Sequence, residues 1–487
     1  MNKTRTRFAP SPTGYMHIGN LRTALFEFLI AKHEGGDFLL RIEDTDQERK
    51  VEGAVDVIYK TLKECGLNWD EGPDIGGDFG PYIQSERLPM YKGYAEDLIK
   101  LGGAHYCFCS EEEIEAQRKE AESLGISFKF NDPCKHLSAE EVQAKLDAGE
   151  PYVIRQTIKD VGETYFDDEV YGRIEVDGDV LDEQILIKSD GYPTYNFANI
   201  IDDHQMQISH VVRGNEYLSS TPKYNLIYDA YGWQRPTYVH VPPVMKDEHH
   251  KLSKRNGDAS FQDLVAKGYL PEAIMNYIAL LGWAPETEQE IYTLDELIKV
   301  FNIHRISKSP AIFDIDKLTW MNGVYLRNMD EETYYETVRP YLEKAVHGPY
   351  NLKEIAIIIQ PRIDILNQIE ESDDFFDTLV DYDLEMYRHK KMKTTPEVAL
   401  KALKASKQAL EAFDQWDSMD ALHECLLALP KELEMKNGQV LWPIRTAISG
   451  KQFTPGGAIE IAFILGKDET LRRIQVGIDR LSEIVEE

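Results

Sequence analysis

The chain has 487 residues and a formal net charge of −31, and 42% of its residues are hydrophobic and 29% charged. This length and composition predict several folded domains and exclude a chain that is disordered over most of its length. No apolar run approaches the roughly 20 residues that cross a bilayer, and the first ten residues lack the apolar core of a secretory signal. Five cysteines in so long a chain do not suggest a disulfide framework, so we expect a cytoplasmic protein with no membrane partner.

Strands and helices alternate over the first 100 residues. Arg5 to Ala9 is predicted to form a short strand, and "DFLLRIE" a buried one. Between them, apolar residues recur at the spacing of one helix face, at Leu21, Ala24, Leu25, Phe28 and Leu29. Strands separated by a helix favour a parallel α/β sheet.

The pattern changes twice further along the chain. Residues 101 to 185 contain cysteines, acidic helical segments and short strands, whereas alternating strands and helices return in "ILIKSDGYPTYNFANIIDDH", "ISHVVRGNEYL" and "TYVHVPPV". Helical periodicity then dominates from about residue 261, including "LKEIAIIIQPRIDIL" and "VALKALKASKQALEAF". The sequence therefore predicts an α/β domain that is split by an insertion and followed by helical bundles.

The opening stretch "FAPSPTGYMHIGN" predicts a phosphate-binding loop. It lies between a strand end and a helix N-terminus, where backbone N–H groups converge and the helix dipole favours anions. Gly14 and Gly19 allow a close approach to the backbone, Pro12 stiffens the loop, and His17 can donate a hydrogen bond to a phosphate. Taken alone, one histidine beside a glycine is more typical of an ordinary turn.

A second string, "KLSKR" at 251–255, places two lysines three residues apart on a polar loop after a strand. Such a pair suits a clamp on a polyphosphate, although exposed basic loops are common. Together with "HIGN", this string resembles the HIGH and KMSKS motifs of class I aminoacyl-tRNA synthetases. Asn20 stands where HIGH has its second histidine and Arg255 where KMSKS has its last serine; both changes resemble variants of the family.

Longer strings resemble the bacterial glutamyl-tRNA synthetases: "RFAPSPTG", "RIEDTD", "QSER", "KSDGYPTYNFAN", "WMNGVY" and, near the end, "GQVLWPIRTAISG" and "TPGG". The resemblance implies a Rossmann-like parallel-sheet catalytic domain with an α+β insertion, then all-helical anticodon-binding domains. The expected boundaries are 1–100 and 186–260 for the catalytic halves, 101–185 for an acceptor-binding insertion, 261–328 for a helical stem-contact domain and 329–487 for the anticodon-binding region.

The resemblance also implies a reaction, in which L-glutamate and ATP form a glutamyl-adenylate and the glutamyl group passes to the terminal adenosine of tRNA(Glu). Mg²⁺ is expected to accompany the ATP, and we expect a monomer. Three residues are implied to be catalytic, His17, Lys251 and Lys254. The implied ATP-binding residues are Pro12, Gly14, His17, Gly19, Asn20, Lys251, Ser253 and Lys254.

The family's glutamate site maps onto this sequence residue by residue. The implied contacts of the side-chain carboxylate are Arg7, Tyr195 and Arg213, and those of the amino end are Ser11, Glu43 and Asn199. The chemistry agrees, because arginine binds a carboxylate in a bidentate way. Charges at strand ends on the surface would explain each residue singly but explain the set poorly.

Cys107, Cys109, Cys134 and His136 have the spacing C-x-C-x24-C-x-H inside the insertion. Residues i and i+2 of a strand share a face, so each pair can present two ligands to one closed, structural zinc site. The alternative is that the cysteines are small buried apolar residues. Some bacterial glutamyl-tRNA synthetases carry this spacing and others lack it.

Anticodon choice is implied to depend on Arg362 in the string "QPR", with Arg445 and Thr454 holding neighbouring bases. The basic segment 388–407 offers contacts for phosphates. We therefore expect discrimination against tRNA(Gln). The alternatives are a synthetase that does not discriminate and a catalytically silent tRNA-binding paralogue, while a helical C-terminal third opposes a glutaminyl-tRNA synthetase with its β-barrels.

Overall fold

The computed structural model describes residues 3–45, 51–159, 162–252, 260–372 and 374–485. By its internal contacts the chain divides into two compact units, one of residues 1–265 with 271–314, the other of residues 266–270 with 315–487. The division into five domains stays a prediction. Within the described ranges, no helix is long and apolar enough to cross a membrane.

In the part of the chain that the structure describes, all strands belong to the first unit: β1 Arg5–Phe8, β2 Asp37–Leu40, β3 Ala104–Cys107, β4 Val153–Gln156, β5 Glu163–Asp168, β6 Gly172–Asp177, β7 Ile185–Ile187, β8 His210–Gly214, β9 Thr237–Val241, β10 Val244–Met245 and β11 Ala311–Ile312. The helices up to residue 300 are α1 Ile18–His33, α2 Ala54–Glu64, α3 Leu88–Lys100, α4 Glu111–Ser123, α5 Ala139–Asp147, α6 Tyr195–Gln205, α7 Thr221–Tyr231, α8 Phe261–Ala266, α9 Pro271–Ala279 and α10 Leu294–Val300.

The predicted parallel sheet is confirmed. β1 pairs in parallel with β2, and β8 in parallel with β9. Ser209, just before β8, donates its N–H to the carbonyl of Arg5 at 2.9 Å, which joins the two pairs. α1 connects β1 to β2, and its predicted apolar face is buried. In such sheets ligands bind outside the carboxyl ends of the strands, and the loop with His17 lies at the carboxyl end of β1.

The insertion is predominantly antiparallel, as β3, β4 and β7 form one sheet in that order and β5 and β6 form a hairpin. The hairpin also reaches the parallel sheet, because β5 pairs in parallel with β9 through Asp168 and Tyr238. The insertion thereby brings Asp168, the last residue of β5, next to β9 of the parallel sheet.

The second unit is helical, as predicted: α11 Ile315–Asn328, α12 Glu331–Ala345, α13 Leu352–Ile359, α14 Gln368–Ser372, α15 Pro396–Glu411, α16 Met419–Glu432, α17 Asn437–Ser449 and α18 Ala458–Val485. One helix is shorter than expected. The helix predicted over "LKEIAIIIQPRIDIL" ends at Ile359, and Arg362 lies in the turn that follows. Pro361 explains the difference, since proline has no backbone N–H with which to continue the helical hydrogen bonds.

Arg473 of α18 ties together three separate segments of the second unit. Its side chain is fully buried and donates hydrogen bonds to the carbonyls of Phe375 and Ile448, at 2.6 and 2.7 Å, and of Phe376 at 2.8 Å. Its Nε donates to Glu469 at 2.5 Å. Each carbonyl left without its donor in a dry interior costs about 1–3 kcal/mol.

We expect Arg473→Ala to lower the midpoint of the second unit's thermal unfolding by about 6 °C or more, because three buried carbonyls lose their donor. Differential scanning calorimetry of the whole chain measures this shift. Arg472→Ala is the matched control, since Arg472 pairs with the same Glu469 but is 56% exposed; such pairs contribute at most about 1 kcal/mol. Equal shifts for the two variants would contradict this role of Arg473.

Candidate functional site

His17 joins the two predicted phosphate-binding strings. It caps α1, and its Nδ1 accepts a hydrogen bond from the N–H of Gly19 at 3.0 Å. Nε2 therefore carries the ring proton and donates to the carbonyl of Leu252, also at 3.0 Å. Lys251 is exposed next to Leu252, while Ser253, Lys254 and Arg255 lie outside the described residues.

The loop before α1 requires its glycines. Gly14 has a φ of +111°, a conformation that other residues rarely adopt. A side chain at Gly19 would lie 3.2 Å from Nδ1 of His17 and would crowd the cap. Pro12 is buried, whereas Asn20 is exposed at the start of α1. The carbonyl of Pro10 accepts the N–H of Glu43 at 3.1 Å, which fixes the loop against the chain beyond β2.

A network of buried ion pairs between side chains lies next to this loop. Arg7 donates to both carboxylate oxygens of Asp203, at 2.8 and 3.1 Å, and Arg41 donates to Asp203 at 2.8 Å and to Glu43 at 2.9 Å. Arg7 also pairs with Glu27 at 3.2 Å. Burial acts to lower the pKa of Arg7, but Asp203 and Glu27 outweigh it and raise the pKa above its usual value. The positive charge of Arg7 is thus balanced by carboxylates of the protein itself.

Arg213 has a different environment. Only 6% of it is exposed, and its guanidinium lies 4.8 Å from the ring centre of Tyr224, 5.2 Å from that of Tyr217 and 5.6 Å from that of Tyr238. Its hydrogen bonds go to neutral groups, the Nε2 of His240 and the hydroxyl of Thr221. Among the described residues, no carboxylate lies within ion-pair distance of Arg213. A buried charge without a counter-ion is costly, so an anion bound next to Arg213 would be stabilised.

Tyr195, another residue predicted to bind glutamate, lies close enough to Glu43, Arg213 and Arg7 for the charges of all three to act on it. Tyr195 opens α6 with its ring 5.5 Å from that of Tyr217, and its carbonyl accepts from Asn199 at 2.6 Å. Burial raises the pKa of Tyr195, and the nearby charge of Glu43 raises it further. Ser11 is exposed on the loop that the N–H of Glu43 holds through Pro10. The structure therefore assembles an anionic group, Glu43, and a cationic one, Arg213, around two tyrosines.

The cysteines of the insertion come together with a residue that the sequence did not single out. Ligand atoms of Cys107, Cys109, Cys134 and Asp132 lie within 4.8 Å of one another. Asp132 is fully buried and accepts the N–H of Cys134 at 2.9 Å. His136 is exposed and is not in this group. The spacing found the three thiols but could not show that the helical turn 133–136 aims the histidine outward.

Three residues predicted to contact the anticodon form a cluster in the second unit. Arg362 donates to the carbonyl of Thr454 at 3.3 Å, and Arg445 donates to its hydroxyl at 3.1 Å. The guanidinium of Arg445 lies 4.2 Å from the ring centre of Trp442. Burial lowers the pKa of Arg445, and the charge of Arg362 lowers it further. Neither arginine has a carboxylate within ion-pair distance among the described residues, so the cluster suits an anionic or acceptor-rich partner.

Two family models match the chain. The model described as "tRNA synthetases class I (E and Q), catalytic domain" matches residues 3–320, and the one described as "Anticodon binding domain" matches residues 333–478. The class I model covers the sheet, His17 and Arg213, and the second covers the arginine cluster. The fold is that of a class I aminoacyl-tRNA synthetase.

Comparison with similar proteins shows which family of this class the chain belongs to. The chain is 60% identical over 483 residues to a glutamate–tRNA ligase of Clostridium botulinum, with 99% of each chain covered. It is 57% identical over 480 residues to that of Clostridium tetani, covering 99% of this chain and 98% of the relative. A crystal structure of a glutamate tRNA ligase from Elizabethkingia meningosepticum in complex with its amino acid matches with a TM-score of 0.90 and 34% identity, over 99% of this chain and 100% of that one. The chain belongs to the glutamate–tRNA ligase family.

Proposed function

We propose that the protein ligates L-glutamate to tRNA(Glu) in two steps. The α-carboxylate of glutamate attacks the α-phosphate of ATP, which forms glutamyl-adenylate and releases pyrophosphate. The 2′-hydroxyl of the terminal adenosine then attacks the carbonyl and AMP leaves. The observation that carries this proposal is the buried guanidinium of Arg213, which has no carboxylate within ion-pair distance among the described residues. The charges of both Arg213 and Glu43 act on the pKa of Tyr217.

The substrate's charges complement this arrangement. The side-chain carboxylate of glutamate would supply the missing counter-ion of Arg213, and its ammonium would lie at Glu43. Arg7 shares its guanidinium with Asp203, so Arg213 is the principal contact and Arg7 a second one. The neutral amide of glutamine would leave the buried charge of Arg213 uncompensated, and sites of this kind reject the wrong substrate strongly.

His17 and the lysines act on the phosphates. The Nε2–H that His17 directs at Leu252 would turn to a phosphate when ATP binds. Lys251, with Lys254, would balance the charge that develops as pyrophosphate leaves. Loss of one such donor typically costs 10²–10³ in rate. Mg²⁺ would be held by the phosphates and water, and a monomeric, cytoplasmic enzyme stays a prediction.

ATP–pyrophosphate exchange tests the chemistry directly. Purified protein is assayed with glutamate or glutamine, with and without tRNA, and aminoacylation is then followed with both tRNAs. We expect exchange that depends on glutamate and charging of tRNA(Glu). A protein that binds tRNA but gives neither reaction would be the silent paralogue.

Arg213→Gln should raise the KM for glutamate by about 10- to 100-fold, because it removes a charge-assisted hydrogen bond to the substrate. The KM for ATP should change little, since Arg213 does not face the phosphate loop in this assignment. Steady-state exchange kinetics measure both constants. Arg235→Gln is the control, because Arg235 is a partly exposed arginine of the same unit that pairs with Asp229. An unchanged glutamate KM in Arg213→Gln would overturn the assignment.

We propose that Arg362 selects the anticodon. The glutamate and glutamine anticodons differ only in their third base, cytosine against guanine. Unstacked anticodon bases expose edges that side chains can reach, and the donors of Arg362 suit the acceptors of cytosine. Arg445 and Thr454 would hold neighbouring bases, and segment 388–407 would meet phosphates. A synthetase that charges both tRNAs is the alternative.

Arg362→Gln should reduce the preference for tRNA(Glu) over tRNA(Gln) by about 10- to 100-fold, the size of one lost base contact. The ratio of kcat/KM for the two tRNAs is the measurement. Arg388→Gln is the control, because a phosphate contact weakens both tRNAs alike and leaves the ratio unchanged. Comparable charging of both tRNAs by the wild-type protein would contradict this role of Arg362.

We also propose a structural zinc site made by Cys107, Cys109, Cys134 and Asp132. Three thiolates and one carboxylate fit a closed tetrahedral Zn²⁺ site, which supplies stability and no step of the reaction. The second oxygen of Asp132 accepts from His105 at 2.9 Å and lies 3.4 Å from Arg155. Such outer contacts hold a metal ligand in place.

Protein purified without chelators should contain about one zinc per chain. Asp132→Asn should lose most of it, because the amide keeps the shape and the cap of Cys134 but lacks the anionic ligand. His136→Ala should keep it. Metal analysis and competition with a chromophoric chelator measure content and affinity. Zinc that is lost in His136→Ala and kept in Asp132→Asn would reverse the assignment.

A further inference from the structure

His240 lies between Arg213 and a carboxylate of the insertion. It is fully buried on β9, directly opposite Arg213 on the parallel strand β8. Its Nδ1 lies 2.6 Å from Oδ2 of Asp168, the last residue of β5, and its Nε2 lies 3.1 Å from Nε of Arg213. These contacts form a continuous line from the insertion through His240 to the guanidinium that we propose binds glutamate.

The protonation state of His240 follows from its hydrogen-bond partners. The carboxylate of Asp168 already accepts the backbone N–H groups of Val170, Tyr171 and His240, at 3.0, 2.8 and 3.1 Å. It is an acceptor, so the Nδ1 of His240 must be its donor. Arginine is always protonated and has no acceptor, so the Nε2 of His240 must accept from Arg213. His240 is therefore neutral, with its proton on Nδ1.

The other protonation states of His240 fit these hydrogen-bond contacts badly. A proton on Nε2 would point at the N–H of Arg213, and in the other neutral tautomer the bare Nδ1 would also face a carboxylate. Burial lowers the pKa of His240, with the charge of Arg213 adding to this and Asp168 opposing it. The remaining groups that face the ring are the hydroxyl of Thr221 at 3.3 Å, the more distant charge of Glu216, and the rings of Phe166 and Tyr238.

The guanidinium of Arg213 is consequently fixed at two of its three nitrogens. Nε donates to His240 and Nη2 donates to Thr221 at 2.9 Å, and Nη1 makes no hydrogen bond to any described residue. We propose that His240, oriented by Asp168, is a positioning residue that aims Nη1 of Arg213 at the side-chain carboxylate of glutamate. This inference rests on the proposed function of Arg213.

Two substitutions of His240 test the roles of its two ring nitrogens separately. His240→Asn keeps a donor near the position of Nδ1 but loses the acceptor for Arg213, and we expect the KM for glutamate to rise about tenfold. His240→Gln places an amide oxygen near the position of Nε2, so it should restore part of this loss. The KM for ATP should stay the same in both variants, and thermal unfolding reports whether each is folded.

A double-mutant cycle with Arg213→Gln decides the proposal. If His240 acts only through Arg213, His240→Asn should add nothing to the effect of Arg213→Gln on the glutamate KM. Independent, multiplying effects would overturn the positioning role, as would an unchanged KM in His240→Asn. If His240→Asn fails to fold, Asp168→Asn replaces it in the cycle with the same expectation. An unchanged KM in Arg213→Gln alone would instead refute the proposed function.

Discussion

The site depends on one constraint, which is that a buried guanidinium is costly unless carboxylates, other acceptors or a bound anion compensate its charge. Arg7 and Arg41 are neutralised by Asp203, Glu27 and Glu43. Arg213 is surrounded instead by tyrosine rings and neutral acceptors. Because carboxylates of the protein pair with Arg7 and Arg41 but not with Arg213, we propose that the substrate's carboxylate supplies the counter-ion of Arg213.

The parallel sheet places these charged residues near the strand ends at which such sheets bind ligands. The loop with His17 follows the carboxyl end of β1, and Arg213 and His240 lie opposite each other near the carboxyl ends of β8 and β9. His17 contacts Leu252 of the string "KLSKR". Arg41 bridges Asp203 and Glu43 and so holds Glu43 in place. The insertion takes part as well, since β5 carries Asp168 to His240.

Much of this could be predicted from the sequence, and the failures have physical causes. Strand and helix periodicity correctly predicted the parallel sheet and the helical second unit, whereas the roles that the motif strings assign to His17 and Arg213 stay predictions. The partners of the buried ions could not be found in this way, because Asp203 pairs with arginines 196 and 162 positions away. Spacing likewise found three thiols but not Asp132, and helical periodicity ran past the end of α13 because it ignores Pro361.

A crystal structure of this protein with L-glutamate bound tests the central claim most directly. We expect an oxygen of the side-chain carboxylate within about 3.2 Å of Nη1 of Arg213, with the hydrogen bonds of Arg213 to His240 and Thr221 retained and the ammonium at Glu43. A structure in which the side-chain carboxylate lies away from Arg213, with that guanidinium still lacking an anion, would contradict it.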